Sequence, residues 1–178
     1  MRPSTGVTAY RLVIALAVLC LVSIGGAPAT AGGNPASSAT YPLPHRLPSA
    51  QARAHLEMSA LHFLNRARLE IGLPPLVPHA GLRTAARAHG REMFTYGFFS
   101  HRSRDGRTPA QRVWHHGIRV RVVGENIAYA PDVQTAHAAL MASEAHRRNM
   151  LSPLYHLVGI AVVDGGAYGL IVVQDFAD

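Results

Sequence analysis

Two periodicities alternate along the chain. Leu56, Ala60, Phe63, Leu64, Ala67 and Ile71 recur at three- and four-residue steps, which gathers them into one apolar stripe on an α-helix. The spacing predicts a first helix over 49–71 with Ser49 as its N-cap. Gly72 stands where a left-handed C-terminal residue is wanted, and Pro74-Pro75 prevent continuation. A second stripe, Leu82, Ala85, Ala86, His89 and Met93, predicts a helix over 80–94 ended by Gly97. Thr108 followed by Pro109 opens a third, short helix through His116. Asp132 caps a fourth helix reaching Met141, and Ser143 caps one further turn stopped by Pro153. Elsewhere the pattern turns to β-branched and aromatic runs. These predict strands over 120–123, 126–129, 157–163 and 168–176, the last two joined through the hairpin signal Asp164-Gly165-Gly166. Helices followed by late antiparallel strands describe an α+β domain, a sheet flanked by helices rather than a parallel doubly wound one.

The first 48 residues follow neither period. Arg2 and Arg11 precede an apolar run over 12–24, "LVIALAVLCLVSI", and Ala29-Thr30-Ala31 fits a signal-peptidase site. Basic start, apolar centre and small-residue end make a secretory signal, so 1–31 is expected to be a removable leader. The run is shorter than the roughly 20 residues that cross a bilayer, and no integral membrane span is expected after cleavage. Residues 32–48, "GGNPASSATYPLPHRLP", read as a linker. That leaves 49–178 as one domain, long enough to bury a core. The single cysteine, Cys20, lies inside the leader, behind an Ala17-Val18-Leu19 that makes a poor lipoprotein site. The expected location is therefore secreted, extracellular or cell envelope, in a fold held without disulfides.

The formal net charge is +7, and all the basic residues are arginine. Loss of Arg2 and Arg11 with the leader keeps the domain basic. Such a surface favours anionic envelope polymers or lipid head groups, or simply solvates the fold. Export and the lack of a binding motif argue against nucleic acid as a partner.

Candidate chemistry starts from Glu125 in "VVGENIAYA". A carboxylate between two strand-like runs needs a partner or must take up a proton. His101, in the loop sequence "GFFSHRSRDGRTPAQR", and His146, in "SEAHRRNMLSP", are the natural partners. A helix start at Ser143 favours the neutral imidazole at His146, the form that binds metal or accepts a proton. From spacing alone the surface reading is the stronger one for each histidine. Glu144 suits a helix start by its charge. His89 falls on an apolar stripe and reads as a hydrogen-bonded core residue. His115 and His116 are adjacent on one helix and point about 100° apart, which makes a poor chelate. There is no H-E-x-x-H, G-x-S-x-G or paired C-x-x-C motif.

Seven pieces in order carry a resemblance. They are "LNRARLEIGLPPL", "LRTAARAHGREM", "FFSH" with "DGRTPAQR", "GENIA", "SEAHRRNML", "VGIAVV" and "VVQDF". Over 61–176 the chain resembles the bacterial branch of the CAP superfamily, related to cysteine-rich secretory proteins, antigen 5 and pathogenesis-related proteins. The resemblance implies a three-layer α-β-α sandwich with a central antiparallel sheet. It also implies a groove lined by two histidines and two glutamates. His101, Glu125 and His146 match three of these positions; Glu144 is the nearest candidate for the fourth, where bacterial members commonly show a serine, as at Ser143. Ala145 and Leu140 depart from the glycine and tryptophan usual in the family. The function so implied is a secreted binding module for a small lipid, a peptide or a cell-envelope ligand, with or without a weakly held divalent cation such as zinc on His101, His146 and Glu125. Two alternatives stand beside it. One is a metal-assisted hydrolase, a peptidase or envelope-degrading enzyme with Glu125 as general base. The other is a basic adhesive protein that binds anionic envelope polymers.

Overall fold

The computed structural model describes residues 18–23, as backbone, and 39–178. Most of the predicted leader and the first part of the predicted linker lie outside the described residues. Strand β1 (Val18–Ser23) falls within the predicted leader. Strand β2 (Tyr41–Pro42) pairs with β5 (Phe98–Phe99), while the Leu43 and Leu47 amides donate to the carbonyls of Gly97 and Phe94. The segment read as a linker is thus docked on the domain from residue 40 onward.

The first helix begins later than its periodicity predicts. Residues 51–52 form strand β3 (Gln51–Ala52), and α1 runs Ala54–Glu70 behind Arg53. Pairing of β3 with Val163 and Asp164 takes the chain Ser49 was expected to start into helix. At the other end the amide of Leu73 donates to Arg68 O around Gly72, whose φ is 78°. Strand β4 (Val77–Pro78) leads into α2 (Ala80–Tyr96), which ends on a left-handed Gly97. Helix α3 (Pro109–His115) starts on a full capping box, Thr108 Oγ1 accepting from the Gln111 amide and Gln111 returning the bond. One strand, β6 (Val123–Ala130), replaces the two predicted there, and 120–122 is outside it. Asp132 caps α4 (Val133–Ala142) as predicted. Helix α5 is Glu144–Met150. Strands β7 (Leu157–Asp164) and β8 (Leu170–Ala177) form the predicted hairpin, with a short helical turn at Gly166–Tyr168.

The sheet runs in the order β1-β6-β8-β7-β3, with β4 parallel to the end of β7 and the other pairs antiparallel. Helices cover both faces, so β6 and β8 are buried along their whole length. Leu64, Leu140, Met150, Val158, Val172 and Phe176 fill the layer beneath α1, α4 and α5. Met93, Phe94, Ile127, Val163, Ile171 and Val173 fill the opposite layer beneath α2. The result is the three-layer α-β-α sandwich with a central, mainly antiparallel sheet.

Two close approaches set the layer spacing. A Cβ on Gly159 would lie 2.2 Å from Leu82 C and 2.3 Å from Arg83 N, so the first turn of α2 rests on bare β7 backbone. A Cβ on Gly124 would meet Tyr155 Oη at 2.3 Å, which accounts for the glycine of the "GEN" piece. Arg68, 1% exposed, ties α1 to distant chain by donating to the carbonyls of Pro74, Met150 and Ser152, each at 2.9 Å.

Candidate functional site

Side chains alternate along β6, and the alternation divides the candidate residues between two sides of the sheet. Glu125 points with Val123 and Ile127 toward α2 and α3. Asn126 points the other way, toward α5. There its Nδ2 donates to His146 O at 3.1 Å and to Gln174 Oε1 at 3.2 Å, and Asn149 Nδ2 donates to its Oδ1 at 2.9 Å. Asn126 therefore holds α5 against the sheet, the backbone-positioning role its chemistry suggests.

Both oxygens of Glu125 are occupied. Oε1 accepts from His101 Nδ1 at 2.7 Å, and Oε2 accepts from Arg112 Nη2. The hydrogen therefore sits on His101 Nδ1. Glu125 and His101 are fully buried, and Arg112 is 5% exposed. Burial pushes the Glu125 carboxyl up, but the Arg112 guanidinium and the His101 hydrogen bond outweigh it and hold the group well below the usual carboxylate range.

Arg112 is the residue that sequence reasoning missed. From α3 it also donates through Nη1 to His101 O at 2.6 Å and to Arg107 O at 3.2 Å, so it folds the 101–107 loop around itself. One signal was available. Arg112 stands on the buried side of α3 beside Ala110 and Val113, where an unpaired cation is costly. Asp175 was also missed. It lies opposite Glu125 in the β6–β8 register and is 1% exposed. Neither of its oxygens meets a donor among the described residues. Burial first, and then the negative charge of Glu125, push its carboxyl well above the ordinary value.

His146 approaches from α5, and its Nδ1 lies 2.7 Å from Ser143 Oγ. Ser143 stands at the N-cap position but makes no side-chain bond to the helix backbone, so its hydroxyl serves the imidazole instead of the cap expected for it. Glu144 is on the surface, 78% exposed and paired with Arg148. Among the described residues no three His, Cys, Asp or Glu side chains are grouped to hold a metal ion. His89 is buried in α2, with its Nε2–H on Ser100 O at 2.8 Å, as its place on the apolar stripe predicts.

Strand β1 lies between the two halves of this region. It runs antiparallel along the outer edge of β6, with Leu21 opposite Glu125 and Cys20 opposite Asn126, and it packs against α5.

Comparison with known proteins places these features. The family model of the cysteine-rich secretory protein family, CAP, matches residues 61–176. The uncharacterized protein YkwD of Bacillus subtilis (strain 168) is 31% identical over 112 residues, which is 62% of this chain and 44% of that protein. The chain thus aligns with less than half the length of this curated relative. An extracellular protein containing a SCP domain from Bacillus anthracis str. Ames has a TM-score of 0.62 at 26% identity, over 69% of this chain and 40% of that one. An outer surface protein from Borrelia burgdorferi has a TM-score of 0.68 over 72% of this chain and 98% of its own; at 15% identity it shows the shared fold alone. No helix among the described residues is long and apolar enough to cross a membrane.

Proposed function

Because the chain belongs to the cysteine-rich secretory protein (CAP) family, we propose that it is an extracellular binding module whose ligand is an extended peptide added as a strand to the β6 edge. The observation that carries this reading is β1. A short apolar segment pairs with β6 from Val18 opposite Ala128 to Ser23 opposite Val123, beside the helix that carries His146. The same segment carries the pattern of a removable leader. Its removal leaves a row of main-chain donors and acceptors on β6, the feature that recruits a further strand. Affinity then comes from main-chain bonds, and Arg112, Glu125 and His101 stiffen the strand that supplies them.

A divalent cation at His101, Glu125 and His146 is the weaker reading. Arg112 already supplies the positive charge at Glu125, and a cation there would face a guanidinium at short range. The same occupancy weighs against Glu125 as a general base, since both oxygens are engaged. A hydrolase reading keeps one supporting contact, Ser143 Oγ to His146 Nδ1.

The test uses the domain without residues 1–31 and a labelled peptide spanning residues 17–24. Saturable binding with slowed hydrogen exchange at the β6 amides is expected. Peptide binding that leaves β6 exchange unchanged, or no binding, rejects the proposal. Uptake of anionic vesicles alone, abolished by salt, would establish the adhesive alternative instead. Turnover lost in both Ser143→Ala and His146→Ala would establish the hydrolase.

A further inference from the structure

On the opposite side of the sheet, the outer edge of β7 is paired at both ends and open in the middle. Strand β4 pairs with Leu157 and Val158, and β3 with Val163 and Asp164. Val158 O accepts from the His79 amide and Val162 O from the Arg53 amide. Two-residue alternation turns the N–H and C=O of Ile160 to this same edge. Among the described residues no main-chain partner stands opposite them. A cavity of about 290 Å³ opens over the gap, between the first turns of α1 and α2.

The walls have a definite chemistry. Met58, Leu61 and Pro78 supply an apolar side. Glu57 also lines the cavity, but Arg87 engages both its oxygens, at 2.7 and 2.5 Å, which neutralises it. Arg83 lines the cavity with an exposed side chain and has no carboxylate within ion-pair distance among the described residues. His79 Nδ1 accepts the Leu82 amide at 3.2 Å, so the ring hydrogen is on Nε2, a second donor in the wall.

We infer that this cavity binds the carboxyl-terminal residue of a peptide. The N–H of that residue donates to Ile160 O and one of its carboxylate oxygens accepts from Ile160 N–H, which completes the missing rung. Its apolar side chain lies between Met58, Leu61 and Pro78, and its carboxylate is received by Arg83 with His79. The site needs an amide, an apolar side chain and a terminal carboxylate together, so free fatty acids and internal peptide segments are poor ligands. It is separate from the β6 edge, and each can fail without the other.

The test is an amide-resolved NMR titration of the full chain with N-acetyl-L-leucine, the smallest molecule with all three features. A ligand of this size is expected to bind with a Kd of about 1 mM. The expected result is saturable shifts at Ile160 and Ala80, at least about tenfold weaker with N-acetyl-L-leucinamide or in Arg83→Gln, one charged hydrogen bond being worth about that much. N-acetyl-N-methyl-L-leucine, which cannot donate to Ile160 O, is expected to bind more weakly as well. Arg66→Gln, outside the cavity lining, should bind as the parent does. Absence of saturable shifts at Ile160 up to about 10 mM, well above that expected Kd, would overturn the assignment. Equal affinity for the acid and its amide would overturn it as well.

Discussion

Arg112 and Glu125 meet inside the protein, guanidinium against carboxylate, with their side chains 6% and 0% exposed. The pair joins α3 to the middle of the sheet, and His101 completes it from the loop between. Glu125, on the face of β6 that also carries the apolar Val123 and Ile127, is therefore answered by a fixed cation and a fixed hydrogen-bond donor.

Removal of one partner strands the other. Glu125→Ala and Arg112→Met should each destabilise the domain by about 3–5 kcal/mol, the usual cost of an uncompensated buried charge. The double variant Arg112→Met/Glu125→Ala should cost clearly less than the sum. Urea denaturation of the four proteins measures this. Strict additivity would show that the two groups do not depend on each other.

The two carboxyl groups opposite each other on β6 and β8 respond to pH in opposite senses. Glu125 is held down in the folded state, so its stabilisation is present above the unfolded value of about 4.3 and is lost as pH falls toward the folded value. Asp175 is held up by burial and by the charge of Glu125. Above about pH 3.9 the unfolded chain gives up this proton and the folded chain keeps it, so the Asp175 contribution falls as pH rises toward the folded value. Asp175→Asn removes that decline. Its unfolding free energy relative to the parent should climb between about pH 4 and 7, by at most about 1.4 kcal/mol per pH unit. A difference that stays flat over this range would contradict the upward shift of the Asp175 carboxyl.

Gly159→Ala tests the seating of α2. The added methyl meets main-chain atoms at 2.2 and 2.3 Å, which cannot rotate away. A loss of about 3 kcal/mol is expected, with a matching drop in thermal midpoint. Gly72→Ala meets nothing within 4 Å and is strained only by its φ of 78°. It should cost about 1–2 kcal/mol. Equal losses at the two sites would mean that the close contact on β7 does not matter.

Arg68→Met leaves the carbonyls of Pro74, Met150 and Ser152 without their donor. An overall loss of about 2–3 kcal/mol is expected, because each buried acceptor left unmade is costly. Arg66→Gln on the same helix removes only an exposed pair with Glu70 and should change stability by less than about 0.5 kcal/mol. Chemical denaturation of both variants gives the comparison.

Elements with local chemistry were legible. Thr108-Pro109, Asp132, Gly72 and Gly97 act within a few residues of themselves, and the structure places caps or stops at each. Ser49 misled because its helix signal competes with a pairing partner more than a hundred residues away, Val163 and Asp164 on β7. Ser143 misled because its hydroxyl had another partner within reach, the ring of His146. His79 caps α2 through a ring nitrogen, a use its residue type does not advertise.

By itself the sequence determined the helix and strand periods and the need for a partner at Glu125, because each is written in residue type and short-range spacing; its seven ordered motifs carried the resemblance to the family, and that resemblance implied the sandwich. Tertiary structure decided who that partner is. Arg112 and Asp175 reach Glu125 across elements whose approach depends on bare glycine backbone and on strand register, and neither packing distance nor register is encoded at any one position. It also decided which side of the sheet each candidate occupies. A one-residue step along β6 reverses the face, so Glu125 and Asn126, neighbours in sequence, face opposite layers of the fold.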